Sequence, residues 1–315
     1  MNTYGSEWGE SRLWFWNNLE CHWRTIGKKD NPPLLFLHGF GASSKHWRNN
    51  AREFSAKGFC VYSLDLIGFG DSEQPSRKKI LKLDNYFWAR QVIAFLEQVI
   101  NINHNEKTVL IGNSLGGLVI LNVSVIRPDL VAASVTAPLP DPAFMQSFFL
   151  PEKGLYRKLF ECLIYLIYEI LPLKFFIFLI TNSPLIEIAL QSAYKKNIKM
   201  DRELLKIVKA PAQRKNASKA LRAMCIGMTL RKRNITGPVL LQNLDRNINR
   251  PPFMLLWGKD DRLVPLEIGQ KLQQNYPWLK LCVIENAGHC PHDESPTKFN
   301  RMILNWLKLN LLEHN

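Results

Sequence analysis

The chain has 315 residues, 46% apolar and 22% charged, enough for a large core and one main domain with an insertion, which excludes disorder along most of its length. Its 41 basic residues against 27 acidic give a net charge of +14. The six cysteines, at 21, 60, 162, 225, 282 and 290, show no paired spacing, and Met1 to Gly9 lacks a basic segment followed by an apolar run, so neither a disulfide framework nor a signal peptide is expected, and free, mostly buried thiols in a reducing, cytoplasmic setting are.

In chain order, Leu13 to Ile26 carries Trp14, Trp16 and Trp23 and reads as an antiparallel strand pair at a sheet edge. The apolar runs Leu34–Leu37, Cys60–Leu64, Thr108–Ile111 and Val131–Val135 read as buried strands. Between the second and third, Ala89, Val92, Ile93, Leu96, Val99 and Ile100 recur at helical spacing and form one apolar face. Strands alternating with helices imply a mostly parallel sheet covered on both sides. Three prolines within 138–142 end the rhythm, and the sequence then reads as helices until about Asn249. Strands return at Phe253–Trp257 and Leu281–Ile284, and a helix closes the chain from about Pro296 to Leu309. The expected organisation is an α/β core in two parts, 1–138 and 250–315, interrupted by a helical lid at 139–249.

The sharpest local signal is Gly112-Asn113-Ser114-Leu115-Gly116, between a predicted strand and a helical run. This G-x-S-x-G pattern places a serine on a tight strand-to-helix turn, with small residues on either side so that neighbouring segments approach and the hydroxyl stands clear. The following helix directs its N-terminus at the same place, which favours developing negative charge. Ser114 is the candidate nucleophile.

A serine hydroxyl requires a base, and the base requires an orienting acid. His289, in a loop after the last predicted strand, is the preferred base; His292, three residues on, is the competitor. His38 directly follows a strand and is read as shaping a turn, and His22, His46, His104 and His314 carry no other catalytic signal. Asp261, after the strand ending at Gly258, is the preferred acid, and its neighbour Asp260 the alternative. The order Ser, Asp, His is that of α/β-hydrolases rather than of chymotrypsin-like or subtilisin-like proteases. The backbone N–H groups of Phe40 and Leu115 are the candidate oxyanion donors. No cofactor is called for. A metal at His289, Cys290, His292 and Asp293 is disfavoured, because donors so crowded along the chain can hardly surround one ion.

The excess positive charge is concentrated. Between Lys195 and Arg233 thirteen basic residues face two acidic ones, a net of +11. With no nucleic-acid-binding module in the sequence, this stretch is expected to favour an anionic membrane surface rather than nucleic acid. Leu155 to Ile180 is heavily apolar, but Glu161, Glu169, Pro172 and Lys174 interrupt it, so it reads as two helices packed over the core or as a lid over the pocket that also touches lipid, rather than a membrane span.

Gly112–Gly117, the Gly39-Phe40-Gly41 turn and, most specifically, Ala287-Gly288-His289-Cys290-Pro291-His292-Asp293-Glu294 resemble plant pheophytinase and its cyanobacterial-type α/β-hydrolase relatives, with Pro296, Asn300 and Trp306 extending the likeness. The chain departs from them at His38, where plant pheophytinase has proline, and in a divergent, more basic insertion. The resemblance implies Ser114 as nucleophile, Asp261 as acid, His289 as base, and cleavage of a carboxylic ester of an apolar substrate such as a phytyl ester. A carbon–carbon bond hydrolase or a perhydrolase on the same residues remains an alternative, as does a non-catalytic lipid- or pigment-binding protein; serine at 114, in place of aspartate, speaks against epoxide hydrolase and haloalkane dehalogenase chemistry.

Overall fold

The apolar runs Leu34–Leu37, Cys60–Leu64, Thr108–Ile111 and Phe253–Trp257 form strands with both faces buried, whereas Leu281–Ile284 forms a half-buried one, as the computed structural model shows for residues 5–76, 82–101, 106–145 and 154–311. In a strand successive side chains point to opposite faces, so a strand covered on both sides must be apolar throughout. Leu35 and Leu37 enter one core cluster and Leu34 and Phe36 the other.

In chain order the strands are β1 (Glu10–Trp16), β2 (Leu19–Ile26), β3 (Pro33–Leu37), β4 (Cys60–Leu64), β5 (Thr108–Asn113), β6 (Val131–Ala137), β7 (Phe253–Gly258) and β8 (Lys280–Ile284). They form one sheet in the order β1-β2-β4-β3-β5-β6-β7-β8. β1 pairs with β2, and β2 with β4, antiparallel; the other pairings are parallel. At this edge β1 turns Leu13 and Phe15 to solvent, while Trp14 and Trp16 pack edge-on against Phe95 and Phe87.

The helices are α1 (Ala51–Ala56), α2 (Asn85–Phe95), α3 (Leu115–Ile126), α4 (Leu155–Ile170), α5 (Leu173–Thr181), α6 (Leu185–Ala193), α7 (Arg202–Ala212), α8 (Ala217–Thr229), α9 (Gly237–Asp245), α10 (Leu266–Asn275), α11 (Pro291–Glu294) and α12 (Pro296–Leu311). α2 and α3 bury Trp88, Val92, Phe95 and Val119 on one face of the sheet, and α1 and α12 bury Phe54, Phe299 and Ile303 on the other. Burying each such side chain contributes about 1.5–3 kcal/mol. Asp84 and Asp201 cap α2 and α7 by accepting from the backbone N–H of Phe87 and Leu204.

α4 to α9 all lie between β6 and β7 in sequence. Among the described residues no single helix is long and apolar enough to cross a membrane; α4 and α5 meet that test only together, across a 49° bend. The six cysteines are free; Cys21, Cys60 and Cys290 are buried, Cys225 and Cys282 half-buried, and Cys162 is exposed.

The parallel pairing has one consequence for chemistry. Leu37 is in register with Gly112, and Gly258 with Ile284. The loops that leave β3, β5, β7 and β8 therefore emerge at one edge of the sheet, where ligands of open α/β folds bind.

Candidate active site

β5 runs straight into α3 with one residue, Ser114, at the turn. Its φ of 51° and ψ of −118° lie in a region that non-glycine residues rarely adopt. The turn is tight enough that a Cβ on Gly112 would lie 2.5 Å from the Gly116 carbonyl carbon, and one on Gly116 2.3 Å from the Leu37 oxygen. Only hydrogen fits at either position, and Ser114 is held at the wall of a cavity.

His289 Nε2 lies 2.9 Å from Ser114 Oγ, and His289 Nδ1 lies 2.9 Å from Asp261 Oδ2. The other oxygen of Asp261, Oδ1, accepts the backbone N–H groups of Leu263 and Val264, each at 2.9 Å. The side chain of Asp261 is fully buried. With Oδ1 occupied, Oδ2 is left to the imidazole. Asp260 instead turns outward to Lys195, at 3.1 Å.

His292 is fully buried and stands 3.3 Å from His46, with its ring 4.5 Å from that of Trp47. Burial and the neighbouring His46 hold it well below the usual imidazole range. His38 donates from Nδ1 to the Gly39 carbonyl at 2.8 Å and accepts the Leu66 N–H at Nε2, so it braces the turn after β3. On that turn, a Cβ on Gly39 would lie 2.6 Å from Asn113 Oδ1 and 3.3 Å from Ser114 Cβ. The backbone leading to Phe40 thus passes beside the serine, and Phe40 itself lines the cavity.

Three residues that sequence reasoning did not single out hold these parts in register. Asn113 Nδ2 donates to the carbonyls of Ala137 and His289, at 2.5 and 3.1 Å; the motif leaves that position open, so nothing in its pattern marks it. Glu294 Oε1 accepts the Gly288 N–H at 2.6 Å, and Oε2 accepts the N–H groups of Lys195 and Lys196 at 2.7 and 3.0 Å. One carboxylate so ties the His289 loop to the chain just after α6, and burial raises its pKa despite these donors. Arg48 reaches Asp293, Asp201 and Glu203. Burial alone would raise the pKa of Asp293, but the hydrogen bond to His46 and the charges of His46 and Arg48 outweigh it and hold the carboxyl far below its ordinary value.

The cavity beside Ser114 has a volume of about 480 Å3. Its walls are mostly apolar: Phe40 and Phe69 from the core, and Ile177, Ile186, Leu221 and Met224 from α5, α6 and α8. Among the described residues one group has metal-like spacing, His22, Asp65 and Asp71. Its central carboxylate is already committed to the N–H groups of Ser44 and Asp71 and to His22, so it serves as structural glue rather than as a ligand set.

A sheet of this order with a cavity at its carboxyl edge has many counterparts. The chain is 25% identical to epoxide hydrolase 4 of Mus musculus over 296 residues, covering 93% of this chain and 77% of that one. It is 24% identical to the chloroplastic pheophytinase of Arabidopsis thaliana over 331 aligned residues, 92% of this chain and 64% of the relative. The crystal structure of a serine hydrolase involved in carbazole degradation superposes with a TM-score of 0.69 at 20% identity, covering 95% of this chain and 99% of that one. The model of the alpha/beta hydrolase family matches residues 34–302, from β3 into α12, and by that match the chain is a member of the alpha/beta hydrolase family.

Proposed function

We propose that this hydrolase cleaves a carboxylic ester of an apolar substrate through an acyl-enzyme. The observation that carries the reading is the unbroken hydrogen-bond relay from Ser114 through His289 to Asp261 at the wall of an apolar cavity. His289 Nε2 takes the hydroxyl proton as Ser114 Oγ bonds to the ester carbonyl carbon. The oxyanion that forms accepts from the backbone N–H groups of Phe40 and Leu115, at the start of α3. Collapse breaks the bond to the alkoxy oxygen, and His289 protonates the departing alcohol. Water then attacks the acyl-enzyme, giving up a proton to His289, which returns one to Ser114 as the acid leaves. Asp261 keeps the imidazole in the tautomer that presents a bare Nε2 and stabilises the imidazolium between steps.

The cavity accommodates an alkyl alcohol or an acyl chain, and a phytyl ester is one substrate of that class. The names of the relatives include an epoxide hydrolase, but a hydroxyl at position 114 offers an oxygen nucleophile with a proton to remove rather than a carboxylate, which suits acyl transfer. α5, α6 and α8 act in this reading as the lid.

A fluorophosphonate probe followed by peptide mass analysis tests the assignment. The expected result is one adduct on Ser114, none in Ser114→Ala, and a fall of about 10³-fold or more in turnover of nitrophenyl and long-chain esters by the variant, with unchanged thermal stability. Undiminished ester turnover by pure Ser114→Ala protein refutes the reading.

A further inference from the structure

α4 gathers its charged residues, Arg157, Lys158, Glu161 and Glu169, on one side. Its half-buried side rests on α8, where Arg222 donates to the carbonyls of Tyr168 and Leu171 at the break before α5. The opposite side carries Leu155, Leu159, Leu163, Leu166 and Ile170, at helical spacing, and all of them are exposed. A soluble helix presents the reverse pattern, apolar inward and polar outward. α5 and α6 continue the surface with Phe175, Phe178 and Ile188, the last 65% exposed. Fourteen large apolar side chains on these three helices are exposed, well beyond the scattered exposure an ordinary monomer shows and of the kind that marks an interaction surface.

Charge indicates the occupant. Some of the thirteen cations between 195 and 233 are engaged by the protein itself: Arg222 donates to the carbonyls just named, Arg231 to Asp141, and Arg214, though exposed, to the carbonyls of Gly70 and Ser72. The basic stretch is therefore a weaker surface charge than its composition implies. What remains at the apolar face is distributed around it. Lys158 and Lys174 are exposed on α4 and α5, and Lys206 and Lys219 are exposed on α7 and α8, the helices packed directly against them. Greasy side chains among lysines are complementary to an anionic bilayer. A second copy of a chain with net charge +14 would instead meet its own charge.

We propose that α4, α5 and the outer side of α6 form a docking surface for an anionic lipid bilayer, lying in the interface with the Leu159–Phe178 face immersed. The 49° bend between α4 and α5 and the Arg222 tether to α8 fit a wedge resting in the headgroup region rather than a span, which would strip both helices from α8. α5 and α6 also line the cavity beside Ser114 with their inner sides, through Ile177 and Ile186. The docking uses neither Ser114 nor His289, so it stands or falls separately from the ester-hydrolase reading.

The test is co-sedimentation of the full chain with phosphatidylcholine vesicles, with and without phosphatidylglycerol, at low and high salt, for the wild type and Leu163→Glu/Phe178→Glu. Sedimentation velocity without lipid runs in parallel. The expected result is at least tenfold tighter binding to the anionic vesicles, weakened by salt, and at least a tenfold loss in the double variant with its thermal midpoint and fluorophosphonate labelling unchanged. Failure of the wild type to bind anionic vesicles overturns the proposal. So does equal binding by the double variant, or a wild-type dimer that the variant dissolves, which would assign the face to a second copy.

Discussion

A methyl group has no room at Gly116, where it would meet the Leu37 carbonyl at 2.3 Å, whereas at Gly41 it would meet nothing within 4 Å. Both glycines neighbour the serine turn, and Gly41 has a φ of +71°. Gly116→Ala is therefore expected to cost about 3 kcal/mol or more through forced separation of α3 from β3. Gly41→Ala costs only the left-handed strain, about 1 kcal/mol. Thermal or denaturant unfolding of the two variants separates close approach from backbone strain. The two adjacent aspartates offer a second contrast. Asp261 faces the imidazole and Asp260 faces Lys195. Asp261→Asn is expected to lower kcat for ester hydrolysis by roughly 10⁴-fold with little change in KM, because the amide stabilises the wrong imidazole tautomer. Asp260→Asn is expected to leave kcat within about twofold, an exposed ion pair being worth little. Steady-state kinetics on one ester decides between them.

The His289 loop is held at the scale of elements. It follows β8, passes so near the end of β7 that a Cβ on Gly258 would lie 2.0 Å from the Gly288 carbonyl oxygen, and accepts support from both sides. The N–H of His289 donates to Ala193 at the end of α6, at 2.8 Å, and Glu294 at the end of α11 clamps Gly288 and the backbone of Lys195 and Lys196. Glutamine at 294 keeps the volume but turns an NH2 group toward a backbone N–H on one side, which unties either the loop or the insertion. Glu294→Gln is thus expected to lower kcat about tenfold and the rate of fluorophosphonate labelling in parallel, while the final labelling stoichiometry stays at one. A variant that labels at the wild-type rate would show that the clamp does not position His289.

Across the whole molecule, buried carboxylates set the response to acid. Burial would raise the pKa of Asp65, but its hydrogen bond to His22, the charges of His38 and His22 and the Ser44 N–H bring it down from 3.8 to about 2. Asp293 lies lower still, held by His46 and Arg48. A carboxyl depressed on folding contributes stability that is complete above its unfolded pKa and is lost as pH falls toward the folded one, because the unfolded chain takes up the proton first. Glu294, raised by burial, acts in the opposite sense: its contribution declines as pH rises through the carboxylate range. Lowered carboxyls, which also include Glu7, Asp129, Asp201 and Glu203, outnumber the raised Glu294 and Asp84, so the thermal midpoint is expected to fall steeply from about pH 4 toward about pH 2. In Asp65→Asn the midpoint should be lower at pH 6 yet less steep over that window. An unaltered slope in this variant would remove Asp65 from the account.

Periodicity and small-residue spacing determined, from sequence alone, the parallel sheet, its antiparallel edge, the helical stretch between β6 and β7 and the serine at a turn where only glycine fits beside it. Those features are local: a run of apolar residues states that both faces of a strand are covered, and a glycine two residues from a turn states that something passes close. Which of Asp260 and Asp261 points inward, and which of His289 and His292 meets Ser114, only the tertiary structure decided, since each pair shares one loop and differs in what distant segments offer it. The tethering roles of Asn113, Arg48 and Glu294 were not legible in the sequence for the same reason: each has a partner 176, 245 or 99 residues away, respectively. The apolar face of α4 was plain to read, but that this face meets solvent while the side bearing Arg157 and Glu161 packs toward α8 depends on contacts between helices, which a one-dimensional pattern does not state.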